Sequence, residues 1–197
     1  MRRRLLASLA ATAAVAASLL IGSAGSAGAA TAAAPEAAVD SASAASRGGG
    51  VTPNADLPPD IQVDDPNLKI VATLRGVGKQ VYDCKNGLYV GREPVATLST
   101  LRGTPVGIHG VGPFWASFDG SRVKAAKVAE AAAPGRGSNI AWLKLQANEN
   151  AGQGGVFSSV QFVQRIDTKG GVPPTSCTGA KTLAVDYSTN YVFWAPK

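Results

Sequence analysis

The chain reads as an all-β protein, an antiparallel β-sandwich or barrel, on three observations. Apolar residues recur with period two, glycine-rich turn signals separate the runs, and no stretch shows convincing helical periodicity. Composition suited to a core starts near residue 57. That leaves about 140 residues, enough for a single domain with room for one short helix and too few for two domains.

Taken in order, Ile70, Ala72 and Leu74 alternate with Val71, Thr73 and Arg75, which predicts the first strand. Gly76-x-Gly78 predicts a tight bend into a second strand over residues 79–84. The pair opens like a dinucleotide-binding turn, but Val81 stands where the third glycine belongs and Val81-Tyr82-Asp83-Cys84 looks extended. No nucleotide cofactor is expected. Asn86-Gly87 marks a hairpin, a strand follows over residues 95–99, and Phe114, Ala116 and Phe118 alternate with Trp115, Ser117 and Asp119 in another. Asp119-Gly120 is the next turn. Residues 121–133 are rich in Ala and Lys, which favours a helix; a strand hairpin with Val123 and Val128 turned inward is the alternative.

Residues 141–147 predict a strand, closed by the turn-forming run Asn150-Ala151-Gly152-Gln153-Gly154-Gly155. Beyond it, Val156, Ser158, Val160, Phe162, Gln164 and Ile166 would share one face of a long extended segment, ended by Lys169-Gly170-Gly171. The last strand covers residues 191–194, where Tyr187, Tyr191 and Phe193 fall on one side and Trp194 on the other. Trp115, Trp142 and this aromatic row are expected inside, because a small β domain needs its large apolar groups in the core.

Ahead of the domain, Arg2-Arg3-Arg4, the uncharged run over residues 5–21 and Ala27-Gly28-Ala29 have the three parts of a secretory signal peptide. Residues 1–29 are assigned to it, with cleavage after Ala29. Ser8, Thr12, Ser18 and the small residues after Ile21 argue against a retained anchor, so no membrane span is expected after processing. General secretion fits better than the twin-arginine route, since Met1 stands where a polar residue usually precedes the pair. Residues 30–56 are mostly Ala, Ser, Gly and Pro, with no aromatic residue, and read as a disordered linker before a secreted domain at 57–197.

Nineteen basic residues against thirteen acidic ones give a net charge of +6, and removing Arg2, Arg3 and Arg4 halves that excess. What remains is dispersed and is not interleaved with aromatics, which argues against a nucleic-acid partner. Cys84 and Cys177, the two cysteines of an exported chain, are expected to form a disulfide. Closing a loop of that length stabilises a fold by roughly 4 to 5 kcal/mol in the chain-entropy model. Without a Cys-x-x-Cys pair, a metal or redox role for them is not expected.

His109 is the only histidine and sits in Gly107-Ile108-His109-Gly110-Val111-Gly112-Pro113, where it would suit a general base. Together with Asp119 and Ser121 it supplies the residue types of a hydrolytic triad. Ser121, however, lies outside any Gly-x-Ser-x-Gly elbow, and Asp119-Gly120-Ser121 is also an ordinary turn. Asp56, Asp60, Asp64 and Asp65 could supply oxygen ligands to calcium, but they lack the spacing of a calcium loop and read as a solvated leading segment; no metal is expected.

The order of motifs resembles one known family. Gly76-x-Gly78-x-Gln80-x-Tyr82-x-Cys84 comes first, then His109-Gly110-x-Gly112-Pro113-x-Trp115 with Asp119-Gly120-Ser121, then Trp142-Leu143. Gln164-Arg165-x-x-Thr168-x-Gly170-Gly171 and Tyr187-x-x-x-Tyr191-x-Phe193 complete the series. Over residues 57–193 this is similar to an uncharacterised family of secreted bacterial and fungal domains of unknown function. The resemblance implies one exported domain and no activity. Some fungal members carry a malate dehydrogenase label, which the broken glycine pattern and the lack of alternating strand and helix do not support.

Three classes of function follow. An extracellular or cell-envelope binding module, with a glycan or envelope component as partner and a monomeric state, leads. A hydrolase using His109 with Asp119 or Ser121 is the alternative, and a structural surface protein is the third. No catalytic residue is assigned.

Overall fold

The computed structural model describes residues 50–135 and 137–197. The assigned signal peptide at 1–29 and most of the assigned linker lie outside the described residues.

Eight antiparallel strands close into one up-and-down barrel: β1 (Leu68–Lys85), β2 (Leu88–Thr100), β3 (Pro105–Gly110), β4 (Phe114–Ser117), β5 (Arg122–Ala131), β6 (Trp142–Ala151), β7 (Phe162–Gly170) and β8 (Thr182–Pro196). Each strand pairs with its neighbours in sequence, and β8 closes on β1 from Leu68↔Pro196 to Asp83↔Thr182. The all-β reading holds, and closure decides barrel over sandwich. Closure leaves no unpaired sheet edge, the usual liability of an antiparallel sheet.

Three corrections follow from the closed geometry, and one open alternative is decided. Gly76 and Gly78 form no bend: β1 runs through them, paired to Leu98 and Ala96 on one side and to Thr189 and Tyr187 on the other. Glycine is needed for close approach instead, since a Cβ at Gly76 would lie 2.7 Å from the Tyr191 ring and one at Gly78 only 2.6 Å from the Ala96 Cα. Of the two alternatives for residues 121–133, the strand forms and the helix does not. β5 satisfies its backbone on β4 and β6, Val123 and Ala125 turn inward, and Val128 faces solvent beside a bulge. Sheet closure outweighs the helical propensity of Ala and Lys because a helix here would open two edges.

The period-two pattern from Val156 to Ile166 is not one strand. Residues 152–159 fold as turns and bends, and β7 starts only at Phe162. Phe157 and Val160 enter the core instead. In β4 the inward residue is Trp115, 1% exposed, while Phe118 is 69% exposed.

The interior has two zones. Its lower part is packed by Leu74, Leu98, Val163 and Phe193, and Phe157 closes the floor with its ring 4.5 Å from that of Phe193. Asn150 holds this floor by donating Nδ2 to the carbonyls of Phe157 and Val160. Tyr187, Tyr191 and Phe193 are all buried, as expected for core residues.

Outside the barrel, a second apolar cluster joins Leu57 and Ile61 to Trp142, Ile166 and Val192. The segment leading into β1 forms two 3-10 turns, Asn54–Asp56 and Pro59–Ile61, and lies across this face. Full burial of Ile61 contributes about 1.5 to 3 kcal/mol. Ordered contacts begin before residue 57, where composition placed the start. Thr52 donates its backbone N–H and hydroxyl to the Asp167 carboxylate, and Asn54 Oδ1 accepts from Gln164 Nε2 at 2.8 Å.

Candidate functional site

The upper mouth gathers the β1–β2 and β3–β4 turns and the longer β5–β6 and β7–β8 connections. Cys84, near the end of β1, is disulfide-bonded to Cys177 in the β7–β8 connection, with Cα atoms 5.8 Å apart. The Cys177 N–H also donates to the Gly87 carbonyl, and Tyr82 donates its hydroxyl to the Gly171 carbonyl at 2.5 Å. The expected staple therefore fixes the longest loop at the mouth.

Beneath that mouth lies a cavity of about 200 Å³. Its apolar wall comes from Leu143, Leu145 and Trp115, and its polar wall from Gln80, His109 and Arg165. Period-two alternation on β1, β3, β4, β6 and β7 aims these side chains into the barrel. Arg92 and Glu93 stand at the rim, where Arg92 is the extra residue of a bulge opposite Val81 and Tyr82. Its guanidinium is already engaged by Glu93 at 2.8 Å and Asp83 at 3.2 Å.

His109 Nδ1 lies 2.7 Å from the Phe114 carbonyl. A carbonyl only accepts, so Nδ1 carries the proton and Nε2 keeps a free lone pair. The ring stacks on Trp115 and meets Tyr191 edge-on at 5.0 Å. Burial lowers its pKa to about 4 against the pull of the Phe114 bond, and the nearby Arg165 cation acts in the same direction as burial.

Arg165 is the second feature of this wall. Its Nε and Nη2 both donate to the Ala141 carbonyl, at 3.2 and 2.8 Å, and among the described residues no carboxylate pairs with it. Burial lowers its pKa, while the surrounding Tyr191, Tyr187 and Tyr82 hydroxyls and, more weakly, the Glu130 carboxylate act the other way. Two further donors belong to residues of the cavity wall: Trp115 Nε1 is buried without an acceptor, and Gln80 Nε2 is buried with the Tyr187 hydroxyl near it but outside hydrogen-bond geometry.

The three residues expected for a triad do not assemble. Ser121 Oγ donates to Asp119 Oδ1 at 2.6 Å and accepts the Phe157 N–H at 3.0 Å, while Asp119 Oδ2 accepts the Val156 N–H at 2.8 Å. This pair ties the β4–β5 turn to the floor loop at the lower end. His109 is near the upper mouth, and no hydrogen bond joins it to either residue. The four aspartates of the leading segment lie on the outer face, Asp56 and Asp60 in the two 3-10 turns.

Of the cavity residues, sequence reasoning singled out His109 and Trp115 by type. Arg165 and Gln80 entered only as parts of a motif, since nothing in their neighbourhood marks them as interior.

These features define a closed, disulfide-stapled antiparallel barrel with one polar cavity under its open mouth. Residues 89–195, just over half of the chain, match the family described as "Protein of unknown function (DUF3455)", and the chain belongs to that family. No curated protein and no solved structure matches it.

Proposed function

We propose that the protein is exported and acts outside the cell or in its envelope as a binding module that takes a small molecule into the barrel. One observation carries this reading: the cavity under the mouth is walled by a cation that no carboxylate pairs with among the described residues, and by the Trp115 N–H, which has no acceptor. Buried polar groups are normally satisfied, so such a set favours an occupant that supplies acceptors. Export is supported by the amino-terminal pattern and by the Cys84–Cys177 disulfide, which suits an oxidising compartment.

The hydrolytic alternative has no nucleophile hydrogen-bonded to His109 among the described residues, and an imidazole whose pKa is lowered to about 4 is a weak base for activating one. A glycan chain finds less support, because Trp142, Tyr187, Tyr191 and Phe193 are buried and offer no stacking platform. The structural-protein reading is favoured by one feature, the exposed Val77, Val95 and Ile108 on the outer face of β1 to β3.

A thermal-shift screen of small molecules on the purified protein tests the proposal. A ligand present at a hundred times its Kd should raise the melting temperature by about 5 to 10 °C. Leu145→Trp, which fills the cavity, should remove the shift. A shift that survives this change would move the binding site out of the barrel.

A further inference from the structure

We propose that the cavity is a site for a small organic acid: Arg165 meets its carboxylate, the Gln80 and Trp115 N–H groups complete the cradle, and its ring or short aliphatic body lies along Leu143 and Leu145. This deepens the binding-module reading and rests on it.

The sign of the ligand follows from Arg165. Water would satisfy the two neutral donors, but it would not balance a guanidinium whose hydrogen bonds within the protein end on one neutral carbonyl. Arg92 already engages Asp83 and Glu93 at the rim, and Glu130, the one carboxylate whose charge reaches Arg165, is exposed and paired with Lys127 at 2.6 Å. Its planar fork matches a carboxylate.

Size and wall chemistry narrow the class. A cavity of about 150 Å³ holds benzene, so about 200 Å³ takes a six-membered ring with a carboxylate attached. Leucine side chains along one wall favour an apolar body over an inorganic oxyanion. His109, neutral and hydrogen-bonded through Nδ1, adds no second positive charge, which fits a monoanion.

The test is calorimetric titration of the purified protein with benzoate, cyclohexanecarboxylate and hexanoate, each against its amide, with sulfate as a control. The acids are expected to bind at least tenfold more tightly than the amides and than sulfate. Arg165→Met should weaken the acids at least tenfold while leaving the melting temperature of the empty protein unchanged or higher, because a lone buried charge is removed. A purely structural arginine would instead lower the melting temperature and leave acid binding alone. Should Arg165→Met fail to fold, Gln80→Leu decides, with a several-fold loss for the acids and little change for the amides.

Equal binding of acids and amides, or full retention of acid binding in the variant that folds, overturns the acid site while leaving a binding barrel. Tighter sulfate binding also overturns it. If no acid binds while the wider screen finds a neutral ligand that Leu145→Trp excludes, this inference alone fails; if neither binds, both readings fall.

Discussion

The imidazole of His109 lies flat on the indole of Trp115, with ring centroids 4.5 Å apart and planes inclined by 11°. The stack keeps the histidine out of water and neutral, and it sets a pH signature. Unfolded, His109 titrates near 6.5; folded, it titrates at about 4. Above pH 6.5 both states are neutral and the group leaves stability independent of pH. Below it only the unfolded chain takes up the proton, so stability falls until about pH 4, by on the order of 3 kcal/mol. Urea denaturation between pH 7.5 and 4.5 should show this slope, and His109→Phe should flatten it. Asp119, held down to about 2 chiefly by the Ser121 hydroxyl, loses its stabilising effect at lower pH, as the pH falls from its ordinary value toward 2.

Ser121→Ala should loosen the floor. The hydroxyl is buried and is the acceptor for the Phe157 N–H, so its loss leaves a buried donor unmet and costs about 1 to 3 kcal/mol. Hydrogen exchange at the Phe157 amide should accelerate. Unchanged stability and exchange would show that the floor does not depend on this hydroxyl.

Gly76→Ala and Gly78→Ala test why β1 carries two glycines. Each added methyl group meets neighbours closer than van der Waals contact, an aromatic ring at Gly76 and the backbone of β2 at Gly78. Overpacking of this kind costs about 1 to 3 kcal/mol, and Gly78→Ala should cost more because a backbone yields less than a ring. Denaturation midpoints of the two variants check the order.

Reduction, or the paired change Cys84→Ser with Cys177→Ser, should lower stability by up to about 4 to 5 kcal/mol. The effect should be local first. Proteolysis is expected in the β7–β8 connection before the rest of the barrel yields, and cleavage elsewhere first would count against the loop as the part the staple holds.

A chain starting at Leu57 should be less stable than one starting at Gly50. The longer form keeps Thr52 on Asp167 and Asn54 on Gln164, whose Oε1 also accepts Trp194 Nε1 at 2.7 Å. Calorimetry of both forms measures the difference. Equal melting temperatures would show that residues 50–56 add nothing to the fold.

Much of this was legible in the chain. Alternation in β1, β6 and β8, the Asn86-Gly87 turn and the cysteine pair are local or compartmental signals, and each led to the right element. Phe157 misled because a period-two pattern cannot say whether a side chain lines a wall or seals an end. β5 stayed open between helix and strand in the sequence, because the propensity of Ala and Lys competes with a demand that only the two flanking strands make visible. The candidate site was half visible: His109 stood out by type, whereas Arg165 looks like any charged residue in a strand.

The sequence by itself determined that this protein is β throughout, that its cysteines pair and that its late aromatics are core. Those properties follow from side-chain chemistry and spacing along one chain. Only the tertiary structure decided that the sheet closes, that Gly76 and Gly78 make room for Tyr191 and the β2 backbone, and that Arg165 faces inward with no carboxylate paired to it among the described residues. Those depend on residues from β1, β3, β6 and β7 meeting across the barrel, and register between distant strands is set by closure, not by any local pattern.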